Sequence, residues 1–468
     1  MNEAVIFIRR IIFFSFISVS LSLVSSASAE DNLVFDFNSA QTFSGLGVQL
    51  WPATDHQPDR DALLRDLHVK YVRIGFTTKL SDEQLKAHMS VGEILAAITR
   101  SQDDQQSTLF SKLHSELASL HVETHFVFWQ VPAVWCNGLQ DDAGNRQRIN
   151  PDHIQDYANW IAANLLYARR FRCLPSTIEM VNEPDNPNGT QFTPEQYDNL
   201  LVTVRTTLDG TGLTTVGIEG PGVGSAMTVE AYAQELEKTG HISLLNGLSW
   251  HDYDTARSPE PAGFAGVPLR LLASSHRLPI SVTEFTSESP QWNRPPFDSG
   301  PHDRGPNNAA DSPDFAVSVV GEELKLLADG AKSVFYWQAE DPAWTQDAFG
   351  LLNAEGQRKP AATALQMLSE QVRPDCQVTA PKTSSLGFVA TCFRSEHGLV
   401  LAAANLSLAP RAINAQIVNA RSPNRVVLVH QFDAHGLSTP VAATVAKLDG
   451  ETVSLRVPAR AVMVVLLR

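Results

Sequence analysis

The sequence predicts an α/β chain, a (β/α)8 TIM barrel followed by an all-β, sandwich-like C-terminal domain. Two observations lead there. Between about residue 45 and residue 340, eight short runs of β-branched and aromatic residues alternate with segments of helical period, the pattern of parallel strands joined by crossover helices. From Cys376 to Arg468 that period is lost, and strand-like runs separated by polar turns replace it. An open doubly wound sheet shares the first pattern, but eight repeats is the number that closes a barrel.

Taken in order, residues 1–29 read as a signal peptide. Arg9 and Arg10 precede an apolar run from Ile11 to Val24, and the small residues Ala27 and Ala29 suit cleavage before Glu30. The run is short for a membrane span, so an uncleaved anchor is the lesser alternative. The mature product is expected to be secreted or periplasmic, with no membrane attachment after cleavage. Within residues 30–42, Leu33 to Phe37 alternates apolar and polar side chains and is expected to add a strand to the β domain.

The barrel is assigned to residues 43–371. Its strands are expected at Phe43 to Leu50, Lys70 to Phe76, His121 to Gln130, Thr177 to Asn182, Thr215 to Glu219, Gly247 to His251, Ile280 to Phe285 and Ser333 to Gln338. Between them, Ile154, Tyr157, Ala158, Ile161 and Leu165 fall on one helical face, and Thr193-Pro194 reads as an N-cap with proline at the first helical position. Lys359-Pro360 and Ala361 to Leu368 form a closing helix, and Arg373-Pro374-Asp375 a linker. The β domain, residues 372–468, has strand-like runs at Gly387 to Phe393, Leu399 to Ala404, Arg425 to His430 and Ala461 to Leu467.

A net charge of −15 argues against a nucleic-acid partner, which requires a basic surface. The glycine-rich tract Gly220 to Gly224 has no following lysine and reads as a loop, not a phosphate cradle. No His or Cys spacing fits a metal site, His153, His241 and His302 included, and neither a metal nor an organic cofactor is expected. Four cysteines are few for a secreted chain. Cys376 and Cys392 flank two adjacent strands and suit a hairpin disulfide, whereas Cys136 and Cys173 fall towards opposite ends of the barrel and do not suit each other.

Chemistry in a barrel of this kind gathers where strands end and βα loops begin. Those ends carry Arg73 on strand two, His125 and Trp129 on strand three, Asn182-Glu183-Pro184 on strand four, Trp250-His251-Asp252-Tyr253 on strand six, Glu284 on strand seven and Trp337 on strand eight. Two carboxylates projecting into one cleft from separate strands are what glycosidic cleavage requires: one protonates the leaving oxygen, the other attacks the anomeric carbon. Seven of the eight tryptophans sit at or just after strand ends, where their rings can stack on the C–H faces of a sugar; Trp337, Trp129 and Trp292 are the leading candidates. Trp250 is expected in the core. Asp185, Asp252, Asp254, Glu288, Glu340 and Asp341 lie near the site in sequence, and a solvated loop acid is the ordinary reading of each.

Over residues 43 to 370 these strand ends resemble the clan A glycoside hydrolases, with features similar to families five, thirty and thirty-nine and a clean match to none. The resemblance implies Glu183 as acid/base and Glu284 as nucleophile. It further implies that Arg73 keeps the nucleophile ionised, that Asn182 binds the sugar 2-hydroxyl, that His251 with Tyr253 supports the pair, and that Trp337 floors the reactive subsite. His125 is a further supporting candidate or a core histidine. The expected function is retaining hydrolysis of a β-linked oligo- or polysaccharide. A transglycosylase using the same residues and a non-catalytic polysaccharide-binding protein are the alternatives, and the oligomeric state is left open. The negative charge of Glu284 is expected to raise Glu183, and Arg73 to lower Glu284.

Overall fold

The architecture was determined as a computed structural model. It describes residues 30–468 apart from 52–56, 76–79, 82, 86–87, 102–111, 113–114, 130, 138–146, 187–188, 254–265, 288–308, 342–347, 382–386, 396–397, 421–424 and 440–445. The expected signal peptide, Trp292, Trp344, Asp254, Glu288 and His302, with most of the segment from Thr286 to Pro313, lie outside the described residues.

Eight parallel strands close into a barrel: Gly45–Leu50, Tyr71–Gly75, Glu123–Val127, Thr177–Glu179, Gly217–Val223, Gly247–Asp252, Ile280–Phe285 and Ser333–Tyr336, the last pairing back onto the first. All eight expected strands are present in the expected order. Strand two shows how they are built: Val72 and Ile74 are buried against the outer shell, and Arg73 between them points into the lumen, where it reaches side chains of strands one, four and seven. The lumen differs from the usual apolar stack, because Gln49, Arg73, His125, Glu179, Ser249 and Thr283 are all buried polar residues of barrel strands.

The helices follow their local signals. Ile154–Arg170 buries the predicted face, including Tyr157, Ile161 and Leu165. Pro194–Gly210 opens with a reciprocal capping box, in which Thr193 Oγ1 accepts from Gln196 N at 3.2 Å and Gln196 Oε1 accepts from Thr193 N at 3.0 Å. Pro360–Ser369 closes the barrel. No helix among the described residues is long and apolar enough to cross a membrane.

The β region is a sandwich of a seven-stranded and a four-stranded sheet. Strand Glu30–Asp36 runs parallel to Arg411–Val418 in the smaller sheet, and Gln41–Phe43 pairs with Cys376–Thr379 at the edge of the larger. The larger sheet is buried on both faces. Ala390, Cys392, Leu401, Ala403, Met463 and Val465 face the smaller sheet. Their neighbours Val389, Phe393, Val400, Ala402, Val462 and Val464 join the core of the barrel, where helix Pro313–Asp329 packs. Thr391 Oγ1 donates to Leu324 O of that helix at 3.1 Å. Two-sided burial explains why Ala461–Leu467 is apolar at every position, without the alternation of a half-exposed strand.

Two expectations are corrected. None of the four cysteines forms a disulfide. Cys392 pairs in register with Thr379, while Cys376 pairs with Phe43, and the two thiols lie on opposite faces of the sheet, Cys376 in the barrel core and Cys392 in the sandwich core. Geometry therefore forbids the hairpin bridge. The glycine tract read as a loop is strand for most of its length, because strand five runs to Val223. Glycine is required there by neighbours: a Cβ on Gly220 would meet the Tyr197 hydroxyl at 1.9 Å, and one on Gly222 would meet Glu179 Oε1 at 2.9 Å.

Candidate active site

Asn182-Glu183-Pro184 lies just beyond strand four, which ends at Glu179. Glu183 adopts φ 44°, a left-handed conformation costly for a side-chain-bearing residue. Its N–H donates to Gly222 O at 3.0 Å and its carbonyl accepts from Asn186 N at 2.9 Å, which fixes the turn and aims the carboxyl at the barrel mouth. Glu284 reaches the same space by another device. Strands six and seven pair Trp250 with Val282 and then His251 with Glu284, so Thr283 is an extra residue; this irregularity presents both Thr283 and Glu284 to the lumen.

A Glu183 carboxyl oxygen, a His251 ring nitrogen and a Glu284 carboxyl oxygen all lie within 4.8 Å of one another. His251 Nδ1 stands 2.9 Å from Glu183 Oε1 and 3.4 Å from Glu284 Oε2. Arg73 donates to Glu284 Oε1 at 2.5 Å and to Asn182 Oδ1 at 2.8 Å, and the Tyr253 hydroxyl donates to Glu284 Oε2. Asn186 Nδ2 donates to Glu183 Oε2 at 2.5 Å. Glu183, His251 and Glu284 are also the one grouping of described residues with metal-ligand chemistry. Arg73, in contact with Glu284, already supplies a positive charge there.

The electrostatics of the empty cleft differ from expectation. Burial pushes the Glu284 carboxyl up, outweighing the pull of His251 and Arg73. Burial also works to raise Glu183, but hydrogen bonds from His251 and Asn186 and the charges of His251 and Arg73 outweigh it and hold the group low. His251 is raised, because the two carboxylates outweigh its own burial. Its Nε2 lies 3.4 Å from Arg73 Nη2, an obligate donor, so the network assigns Nε2 as acceptor and places a proton on Nδ1, facing both glutamates.

Of the residues singled out in the sequence, the fold brings together Arg73, Asn182, Glu183, His251, Tyr253 and Glu284. Trp129 and Trp337 join them: their rings lie 5.5 Å apart, and Arg73 sits 5.5 Å from the centre of the Trp129 ring. Trp51, at the end of strand one, completes the cluster at 5.6 Å from Trp129 and 5.7 Å from Trp337. His125 is not with the catalytic pair. It lies deeper, 3.6 Å from Glu219 and edge-on to Phe335, and burial lowers it to about 4, the state of a neutral core histidine. Trp250 is buried in the core.

Three of the neighbouring acids have structural partners. Asp185 accepts from Gly224 N and Thr228 Oγ1, Glu340 pairs with Arg60, and Asp341 pairs with Lys359. Asp252 is buried.

Sequence reasoning missed Glu179. It is buried beneath Arg73, where its Oε2 accepts from Arg73 Nε at 2.9 Å and its Oε1 from Ser249 and Thr283 at 2.8 and 2.6 Å. Its signal was a lone acid inside the otherwise apolar run Ile178 to Val181. Gln49, which accepts from Arg73 at 3.1 Å, gave a similar sign inside strand one.

No protein-family model matches the sequence, and no curated protein matches it. Solved structures do. A glycoside hydrolase family 30 endoxylanase from Clostridium papyrosolvens superposes with a TM-score of 0.69 at 14% identity, over 94% of this chain and 100% of that one. The catalytic domain of a family 30 xylanase from Talaromyces cellulolyticus gives 0.66 at 16% identity, over 94% of this chain and 100% of that one. A family 39 β-xylosidase from Caulobacter crescentus gives 0.56 at 15% identity, over 93% of this chain and 99% of that one. The chain therefore has the barrel-and-β-sandwich fold of the solved clan A glycoside hydrolases of families 30 and 39, with neither family singled out.

Proposed function

We propose that the protein is a retaining β-glycoside hydrolase acting outside the cytoplasm on a β-linked oligo- or polysaccharide, with Glu284 as nucleophile and Glu183 as acid/base. The observation that carries this reading is the approach of the two carboxyl groups across one gap, with oxygens within 4.8 Å. Retaining enzymes place theirs about 5 to 5.5 Å apart, whereas inverting ones leave room for a water at about 6.5 to 9.5 Å. The tryptophan cluster beside the pair offers the apolar surface that a sugar ring stacks on.

In this reading Glu284 attacks the anomeric carbon while Glu183 gives its proton to the departing oxygen. Both Glu284 oxygens accept from donors, Arg73 on one and Tyr253 on the other, an arrangement suited to an anion poised to attack. A sugar seated in the gap displaces water from Glu183 and deepens the burial that opposes its low value, which favours the protonated form. The proton is taken up from solvent before the cleft closes, and the His251 Nδ1–H, 2.9 Å away, orients the Glu183 carboxyl. Once the glycosyl ester forms, the charge on Glu284 is gone, the proton affinity of Glu183 falls, and Glu183 takes a proton from the attacking water.

The test combines a panel of β-glucans, xylans, mannans and bacterial exopolysaccharides with 2-deoxy-2-fluoro glycosides as traps. Turnover with retained anomeric configuration and a peptide adduct on Glu284 are expected. Glu284→Gln and Glu183→Gln should each abolish turnover of an unactivated substrate with folding intact. Normal activity in either variant, or an adduct on another carboxylate, overturns the assignment.

A further inference from the structure

Arg73 serves two carboxylates at once. Above it lies Glu284, and below it Glu179, 1% exposed, takes both Arg73 Nε at 2.9 Å and Arg73 Nη2 at 2.7 Å. The other Glu179 oxygen is saturated by Ser249 on strand six and Thr283 on strand seven. Nothing in the proposed reaction touches Glu179, yet the lumen is shaped around it. Gly222, at φ +64°, has no side chain where a Cβ would come within 2.9 Å of its carboxylate.

We infer that Glu179 is a positioning residue that neutralises part of the Arg73 charge and thereby sets the reactivity of Glu284. Arg73, Glu179 and Glu284, all ionised, carry a net charge of about −1. Without the Glu179 charge, the guanidinium acts on Glu284 alone. The nucleophile then becomes a more stable anion: slower to attack, and a better leaving group from the glycosyl ester. Glu179 is suited to a constant charge, because Arg73 foremost, with His251 and the Thr283 hydroxyl, outweighs burial and holds it near 2. The other titratable groups facing this pair are Glu183 and Tyr253 beside Glu284, and Glu219 and Tyr197 beside Glu179.

This inference rests on the proposed double displacement, so its test has one arm that needs no turnover. In protein carrying 13C at glutamate carboxyl carbons, with the Glu284 resonance assigned by its loss in Glu284→Gln, the Glu284 titration is compared between the native chain and Glu179→Gln. A downward shift of about one pH unit is expected; an unchanged or raised titration overturns the inference. If Glu179→Gln does not fold, Glu179→Asp, which withdraws the charge by one methylene, should shift the titration down by less, and no shift overturns the inference equally. In the kinetic arm, with an activated aryl glycoside, Glu179→Gln should lower kcat/KM and move its acid limb down by the same amount, while kcat is retained. Equal loss in both parameters with a fixed acid limb marks a purely structural residue and overturns the inference. A native protein that turns over no glycoside overturns the proposed function and leaves the titration arm readable.

Discussion

Tyr253 touches the nucleophile from the opposite side to Arg73, and its hydroxyl is the only contact its ring makes with Glu284 among the hydrogen bonds described. That bond lowers the Glu284 carboxyl against the burial that raises it. Tyr253→Phe should therefore raise the nucleophile and move the acid limb of kcat/KM to higher pH, opposite in sign to Glu179→Gln. A loss of roughly 10- to 100-fold in kcat/KM is expected, equal to about 1.4 to 2.7 kcal/mol of transition-state stabilisation. A pH–rate profile with its acid limb unmoved would refute this role. The residues at the mouth were legible because a strand end is a location that sequence pattern can name. Arg73, Asn182, Glu183, His251, Tyr253 and Glu284 all stand there. Glu179 was missed and His125 was left between a supporting and a core role, because their surroundings consist of side chains from other strands. Glu179 is defined by Arg73, Ser249 and Thr283, and His125 by Glu219 and Phe335. The direction of the Glu183 shift in the empty cleft was not legible for the same reason, since the sequence does not reveal that His251 and Asn186 donate to it.

Strand five shows how an element can be hidden by its own composition. Glycine and proline over Gly220 to Gly224 signal a loop, yet the segment is mostly strand, because Tyr197, Glu179 and Glu183 fill the space that side chains would occupy. Gly222→Ala meets both an unfavourable φ of +64° and the Glu179 carboxylate, so it should destabilise the protein by about 1–3 kcal/mol and reduce activity. Gly210→Ala, at the end of helix Pro194–Gly210 with open space around it, should be neutral or stabilising by up to ~1 kcal/mol. Urea unfolding of the pair decides the matter; equal midpoints would show that strand five tolerates side chains at Gly222. The remaining barrel strands were legible because β-branched runs flanked by helical period are hard to mistake. In the sandwich, the continuous apolar run Ala461–Leu467 announced a strand, though only the packing of helix Pro313–Asp329 explains its second buried face.

Across the molecule, buried acids give stability a pH dependence. Burial raises Glu323, on the helix between barrel and sandwich, to about 8, and burial with the Glu179 charge raises Glu219 to about 8. Their unfolded values are about 4.3. Between those limits the folded state holds more protons than the unfolded one, so this stability is fully present at low pH and lost as pH climbs to about 8. His125, lowered by burial to about 4, acts oppositely: the unfolded chain binds its proton first, and stability falls as pH drops through 6.5 towards 4. The two effects partly cancel below pH 6.5, so the steepest loss is expected between about pH 6.5 and 8. Glu323→Gln should flatten that slope and stabilise the protein at pH 8, measured by urea unfolding across the range. An unaltered slope would show that Glu323 is ionised in the folded chain.

The parallel pairing of Glu30–Asp36 with Arg411–Val418 joins segments nearly four hundred positions apart along the polypeptide. A ribosome releases the first of these long before the second exists, so the early strand has no partner until almost all of the protein has been made. Pairing at such sequence separation is slow and a late event in folding, completed after synthesis. For much of its early life the chain is an unfinished clasp, which closes only when Glu30–Asp36 meets Arg411–Val418.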